Sequence, residues 1–249
     1  MSSESDTRGL IDGLRRFDSA TVANAVEAFA VRDQVSGYAS MELRCQFPQR
    51  DPMVGYVVTC TADTTRPDDN RPMRLVDLVD VVVAAPKPAV LVIQYVGQDR
   101  LRSCFVGDMF CTWLQNLGGV GVVTDGGFRD LAGIAARAPD VQIFAGGPVV
   151  SHGHGAFLDF DVTVSICGLS IRPGDLLHGD ANGLLTVPAS IATDVAEQAA
   201  VVREAESAYF DFLEGETFSS DELKRRLTSH DEYIQTPQRA PTPVRASVS

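Results

Sequence analysis

The stretch from Gly107 to Asp130 reads GDMFCTWLQNLGGVGVVTDGGFRD, and its pattern decides the fold. Met109 to Leu117 has helical spacing, and Val120 to Thr124 is an apolar run that reads as a strand. Asp108 stands where it would cap that helix. The backbone N–H groups of Met109 and Phe110 would then form a site for a carboxylate or phosphate. Nine helical residues rise about 13 Å, and a returning strand of five or six residues covers roughly 17 to 20 Å. An antiparallel helix and strand would therefore bring the loop Asp125 to Asp130 back beside Asp108.

That loop ends in Arg129 and Asp130. Arginine supplies a permanent charge and a planar fork for a carboxylate or enolate oxygen, and aspartate supplies the hard oxygen that Mg²⁺ or Ca²⁺ prefers. The alternative for the dipeptide alone is a surface ion pair after a Gly-rich turn.

Outward from this segment the pattern alternates between helix and strand. Helices are expected over Thr7 to Arg16, from Ser19 (as N-cap), over Met73 to Ala85, and from Ser190 to Glu214 up to Gly215. Strands are expected over Gly55 to Ala62, Ala89 to Tyr95 and Val141 to Ala145. Val31 to Arg74 otherwise reads as irregular loop. From Val162 to Val187 short β segments are punctuated by turns at Arg172 to Asp175 and Asp180 to Gly183, which suits a compact barrel or sandwich. The order predicts an α/β layered fold. No linker clearly divides the chain, so residues 1–235 read as one domain and 236–249 as a disordered tail.

Thirty-three acidic against 21 basic residues leave a net charge of −12, a poor match to phosphate backbones or anionic lipid. Nucleic acid and membrane are therefore not expected partners. The five cysteines contain no Cys-x-x-Cys, and no signal peptide or membrane span is read, so a cytoplasmic protein without a disulfide framework is expected. Gly118 to Thr124 lacks the third glycine of a dinucleotide loop, and NAD and S-adenosylmethionine are rejected as cofactors. His152 and His154 read as loop histidines with no third ligand nearby, and Cys111 as a buried thiol with no histidine near it in sequence.

Twenty residues separate Asp108 from the Arg129-Asp130 pair, and this arrangement resembles the signature of the RraA-like family. Gly-Val-Val-Thr-Asp-Gly before Arg129, Pro173-Gly174-Asp175, and Gly179-Asp180-x-x-Gly183 leading to Pro188 resemble it too, over roughly Ser19 to Gly215. The family includes divalent-metal-dependent 4-hydroxy-4-methyl-2-oxoglutarate aldolases that also decarboxylate oxaloacetate. The resemblance implies a swivelling β/β/α-type sandwich with a long C-terminal helix, assembled as a homotrimer or hexamer with sites at subunit interfaces. It further implies a substrate-binding turn at Gly107, Asp108, Met109 and Phe110, a substrate-binding Arg129 and a metal-ligating Asp130. Phe110 (where leucine is frequent), Asn24 and Asn182 (where aspartate is usual) depart from the family pattern.

On the long helix, Ile191, Val195, Ala199, Val202, Ala205, Tyr209 and Phe212 share a face that Glu206 enters, whereas Glu204 points away. Family members carry a glutamate a few turns before the equivalent of Gly215 that reaches a neighbouring site, so Glu206 becomes a catalytic candidate beside Asp108 and Arg129. The alternative is an outward pair with Arg203. The expected activity is that of a class II aldolase or oxaloacetate decarboxylase: cleavage of a small 2-oxo diacid through a pyruvate enolate, with Mg²⁺ or Mn²⁺ as cofactor. The other reading is an RraA-type protein-binding regulator of ribonuclease E, or a family member with another substrate.

Overall fold

The computed structural model describes residues 4–66, 73–215 and 218–235; the 236–249 tail lies outside them. The elements in chain order begin with α1 (Glu4–Leu14), α2 (Ser19–Glu27), β1 (Arg44–Cys45), β2 (Met53–Asp63), α3 (Leu75–Ala84) and β3 (Ala89–Tyr95). A 3₁₀ turn at Arg100–Arg102 precedes β4 (Cys104–Val106), α4 (Asp108–Asn116), β5 (Gly119–Thr124), β6 (Gly127–Phe128), α5 (Leu131–Arg137) and β7 (Gln142–Ala145). Then follow β8 (Ala156–Phe160), β9 (Val164–Ile166), β10 (Leu169–Ile171), β11 (Leu176–Asp180), β12 (Gly183–Val187), α6 (Ala192–Glu214) and α7 (Ser220–Gln235). They fall into two compact units, one of Ser36–Val187 and one of Met1–Val35 with Pro188–Ser249.

The Ser36–Val187 unit is built on a sheet of order β1-β7-β5-β3-β2-β11-β12, with β8 added against β2. Its centre, β2, β3, β5 and β7, is parallel, and β1, β11 and β12 extend it antiparallel. The strand β3 shows why this region must be a middle layer. Ala89, Leu91, Ile93 and Tyr95 enter one core with Leu78 and Val82 of α3, Leu114 of α4 and Ile134 of α5. Val90 and Val92 enter a second core with Val164 and Ile166 of β9 and Leu169 and Ile171 of β10. A run that is apolar at every position but Gln94 satisfies both faces of the strand, as parallel sheets covered on both sides require. The result is the expected α/β layered fold: helices, central sheet, and a β-ribbon on the far side.

Several details differ from the sequence reading, which contained no counterpart of α5, α7 or β8. The segment from Val162 to Val187 makes no separate barrel, because β9 and β10 form their own hairpin while β11 and β12 join the main sheet. Within Val31 to Arg74 lies a longer strand than expected, Met53–Asp63, plus the two-residue β1. The N-cap of α2 is Asp18 and not Ser19. The Asp18 carboxylate accepts the Thr21 N–H at 2.9 Å and the Thr21 hydroxyl at 2.8 Å, which leaves Ser19 as the first helical residue.

In the other unit α6 buries Val195, Ala199, Val202 and Phe212, the face expected from its spacing. Arg203 of α6 donates to the Arg16 carbonyl at 3.0 Å and lies over the Phe17 ring at 4.5 Å. No helix among the described residues is long and apolar enough to cross a membrane.

Candidate active site

Site-forming residues lie at the carboxyl ends of parallel strands, where open α/β sheets leave a crevice. Beyond β3 the chain forms β4, which pairs in parallel with β6 beyond β5, so two short strands carry Gly107 and Arg129 side by side. The Arg129 N–H donates to the Val106 carbonyl at 2.9 Å and fixes that alignment. Between them α4 runs away from the site, stops at Gly118 in the left-handed region (φ 81°), and β5 returns.

The expected antiparallel return therefore occurs, and Asp108, Arg129 and Asp130 line one cavity of about 360 Å³ with Gly107, Met109 and Phe110. Arg129 Nε lies 3.3 Å from Asp130 Oδ2, with both side chains a little over one-third exposed. Asp130 itself is left-handed (φ 61°, ψ 40°), a conformation that aspartate tolerates better than most residues, and its carbonyl accepts the Ile134 N–H of α5 at 2.8 Å. Gly107 faces this pair. A Cβ there would stand 2.6 Å from Asp130 Oδ2.

Asp108 does not cap α4. Gly107 occupies the cap position and Asp108 is the first helical residue, its Oδ1 accepting the Met109 N–H at 2.8 Å. The helix start thus already spends the Met109 donor on its own carboxylate, where a free donor pair was expected. The other oxygen, Oδ2, pairs with Arg137 Nη1 of α5 at 2.9 Å. The sequence reading missed Arg137. Gly133 makes room for the pair, since a Cβ at that position would meet Asp108 Oδ2 at 2.5 Å.

Four further observations delimit the chemistry. His152 lines the cavity, a placement the sequence did not indicate; its Nδ1 lies 2.7 Å from the Gly153 carbonyl. Cys111 is buried, and burial pushes its thiol up to about 12, opposed by nearby Arg50, so it is no thiolate nucleophile. All five cysteines are free. Glu206 belongs to the other unit, where it accepts from Asn24 Nδ2 at 3.4 Å; Arg203, its expected alternative partner, instead pairs with Asp18 at 3.7 Å.

Among the described residues no group of three His, Cys, Asp or Glu side chains could cage a metal ion. The donors present fit Mg²⁺ in its water-rich mode. Asp130 offers a hard carboxylate oxygen at the cavity, and the missing Cβ of Gly107 makes room for that carboxylate. They do not fit a closed tetrahedral zinc site.

A curated relative from Stutzerimonas stutzeri (strain A1501), named "Putative 4-hydroxy-4-methyl-2-oxoglutarate aldolase", is 32% identical over 92 residues, 37% of this chain and 56% of the relative. One of the same name from Pseudomonas putida (strain W619) is 29% identical over 147 residues, 58% of this chain and 82% of the relative. The first relatives are thus matched over less than two thirds of their own length. Among solved structures, Streptomyces coelicolor RraAS2, described as an unusual member of the RNase ES inhibitor RraA protein family, superposes with a TM-score of 0.63 at 23% identity. That match covers 80% of this chain and 94% of that one. A family model described as RraA-like, Aldolase/RraA, matches residues 19–186, and this chain belongs to that family.

Proposed function

We propose that the protein is a divalent-metal-dependent carbon–carbon lyase that cleaves a small 2-oxo acid to a pyruvate enolate, by retro-aldol reaction or β-decarboxylation. The observation that carries this reading is the convergence of Arg129, Asp130 and Asp108 on one cavity, each carboxylate already paired with an arginine. The names of the curated relatives support the same reaction class.

Arg129 binds the pyruvyl end and neutralises the enolate oxygen as charge develops on it; a prepositioned cation is most effective there because it needs no reorganisation during the reaction. Asp130 would hold Mg²⁺ with water completing the coordination, and the ion would supply Lewis acidity toward the ketone. Asp108 orients a water that carries the hydroxyl proton. Arg137 holds one oxygen of that carboxylate in place, and the Met109 N–H fixes the other. Glu206 assists only if a neighbouring subunit brings it to the cavity.

The test is pyruvate release from 4-hydroxy-4-methyl-2-oxoglutarate, from oxaloacetate and from monocarboxylic 4-hydroxy-2-oxo acids in the presence of Mg²⁺. Activity on at least one is expected, and Arg129→Ala should lower its turnover on the order of a hundredfold or more. Undiminished turnover in that variant overturns the mechanism. No pyruvate from any substrate overturns the lyase reading and favours a binding protein of the RraA kind.

A further inference from the structure

Most of the cavity lining is apolar: Met73, Leu75, Phe105, Met109, Phe110 and Trp113. Its aromatic part is rigid. The Phe110 ring meets Trp113 edge-on at 4.6 Å between centroids and Phe105 at 5.9 Å, and Phe105 in turn packs on the buried Phe157 at 5.0 Å. Such interlocked rings hold a preformed surface with little rotamer entropy left to lose on binding.

The charges are distributed differently. Among the described residues that line the cavity, Arg129 and His152 are the only ones that can be cationic, and Arg129 is already engaged with Asp130. Arg137, the nearby third cation, is held by Asp108. One substrate carboxylate can therefore be matched at Arg129. A second would have only His152 to meet it among these residues, and elsewhere would lie against methionine, leucine and aromatic side chains, where an unpaired carboxylate is costly.

We infer that the substrate is a 4-hydroxy-2-oxo acid with a single carboxylate, whose C4 substituent is apolar, an aryl or bulky alkyl group seated against Phe105, Phe110 and Trp113. The inference rests on the proposed binding of the pyruvyl end at Arg129. The reaction is then a balanced retro-aldol. The C3–C4 bond breaks, C4 becomes the carbonyl of an apolar aldehyde as its hydroxyl proton leaves, and the electron pair forms the pyruvate enolate. Protonation at C3 releases pyruvate. No oxidant or reductant is required.

Trp113 is the sole tryptophan of the chain, so its emission reports binding directly and independently of turnover. The probes are two non-cleavable 2-oxo acids, 4-phenyl-2-oxobutanoate and 2-oxoglutarate, titrated into the Mg²⁺-supplemented full-length protein. The phenyl compound should change Trp113 emission with a Kd at least about tenfold lower, the scale on which apolar pockets discriminate. Met73→Arg, at a half-exposed position at the cavity edge that a charge can occupy without entering the core, should reverse or erase that preference. Equal or tighter binding of 2-oxoglutarate by the wild type overturns the inference. So does a phenyl preference that Met73→Arg leaves untouched. Neither result bears on whether pyruvate is released, so the lyase reading stands or falls by its own assay.

Discussion

Gly107 has no side chain, and the space this leaves is filled by the carboxylate of Asp130. Its backbone (φ −138°, ψ −172°) is one that any residue adopts, so alanine there is opposed by contact and not by conformation. The atom a Cβ would meet is the free end of a side chain, which can swing away at small cost to the fold. Gly107→Ala should therefore leave the melting temperature within about 2 °C while lowering kcat/KM at least about tenfold, because the Arg129–Asp130 pair is pushed out of register. Unchanged kinetics would show that the pair tolerates displacement. At this scale the sequence revealed which residues meet but not how each is held. The spacing of Asp108 from Arg129 converts into a matched rise and return, whereas the Asp108–Arg137 pair depends on α5, a seven-residue helix containing a glycine and too short for a periodic signal.

Most helices and strands of ordinary length were readable from pattern, although α7 and β8 were not among them, and the very short ones were not. The strand β3 was expected at Ala89 to Tyr95 and is found there, because six apolar residues and one glutamine between turn signals leave few alternatives. By contrast β4 and β6, which align the two halves of the site, have three and two residues and show no alternation to detect. The cap of α2 was misplaced by one residue because Asp18 and Ser19 are both good caps, and only geometry selects between them. Burial raises the pKa of the Asp18 carboxyl, but hydrogen bonds, chiefly from Thr21, outweigh it and the net shift is downward. Its contribution to stability is therefore present above the unfolded value near pH 3.9 and is lost as pH falls through the lower folded value. Asp18→Ala should cost about 1 kcal/mol, or about 2 to 4 °C in Tm, at pH 6. Thermal melts across pH should show that gap narrowing below about pH 4; a gap constant with pH would mean that the carboxylate is not the cap.

For the molecule as a whole, the apolar cores of the Ser36–Val187 unit are built from buried side chains on both faces of the central sheet, and Asp130 and Arg129 sit at the cavity surface. Metal removal should therefore separate function from folding: EDTA is expected to abolish pyruvate release, restored by Mg²⁺, with Tm moving by no more than about 2 °C. Activity indifferent to chelation would remove the cation from the mechanism, and a large fall in Tm would make it structural. The layering itself was legible because alternating helix and strand patterns admit few arrangements, while the joining of β11 and β12 to the main sheet was not, since edge pairing depends on partners far away in sequence. The doubly covered strand β3 carries one more implication, for the nascent chain. AVLVIQY is uncharged and strongly β-forming, and until its neighbours arrive from later in synthesis it is an exposed adhesive segment. Lys87 and Pro88 immediately before it act as gatekeepers, interrupting any templated stacking of one unfinished polypeptide on another.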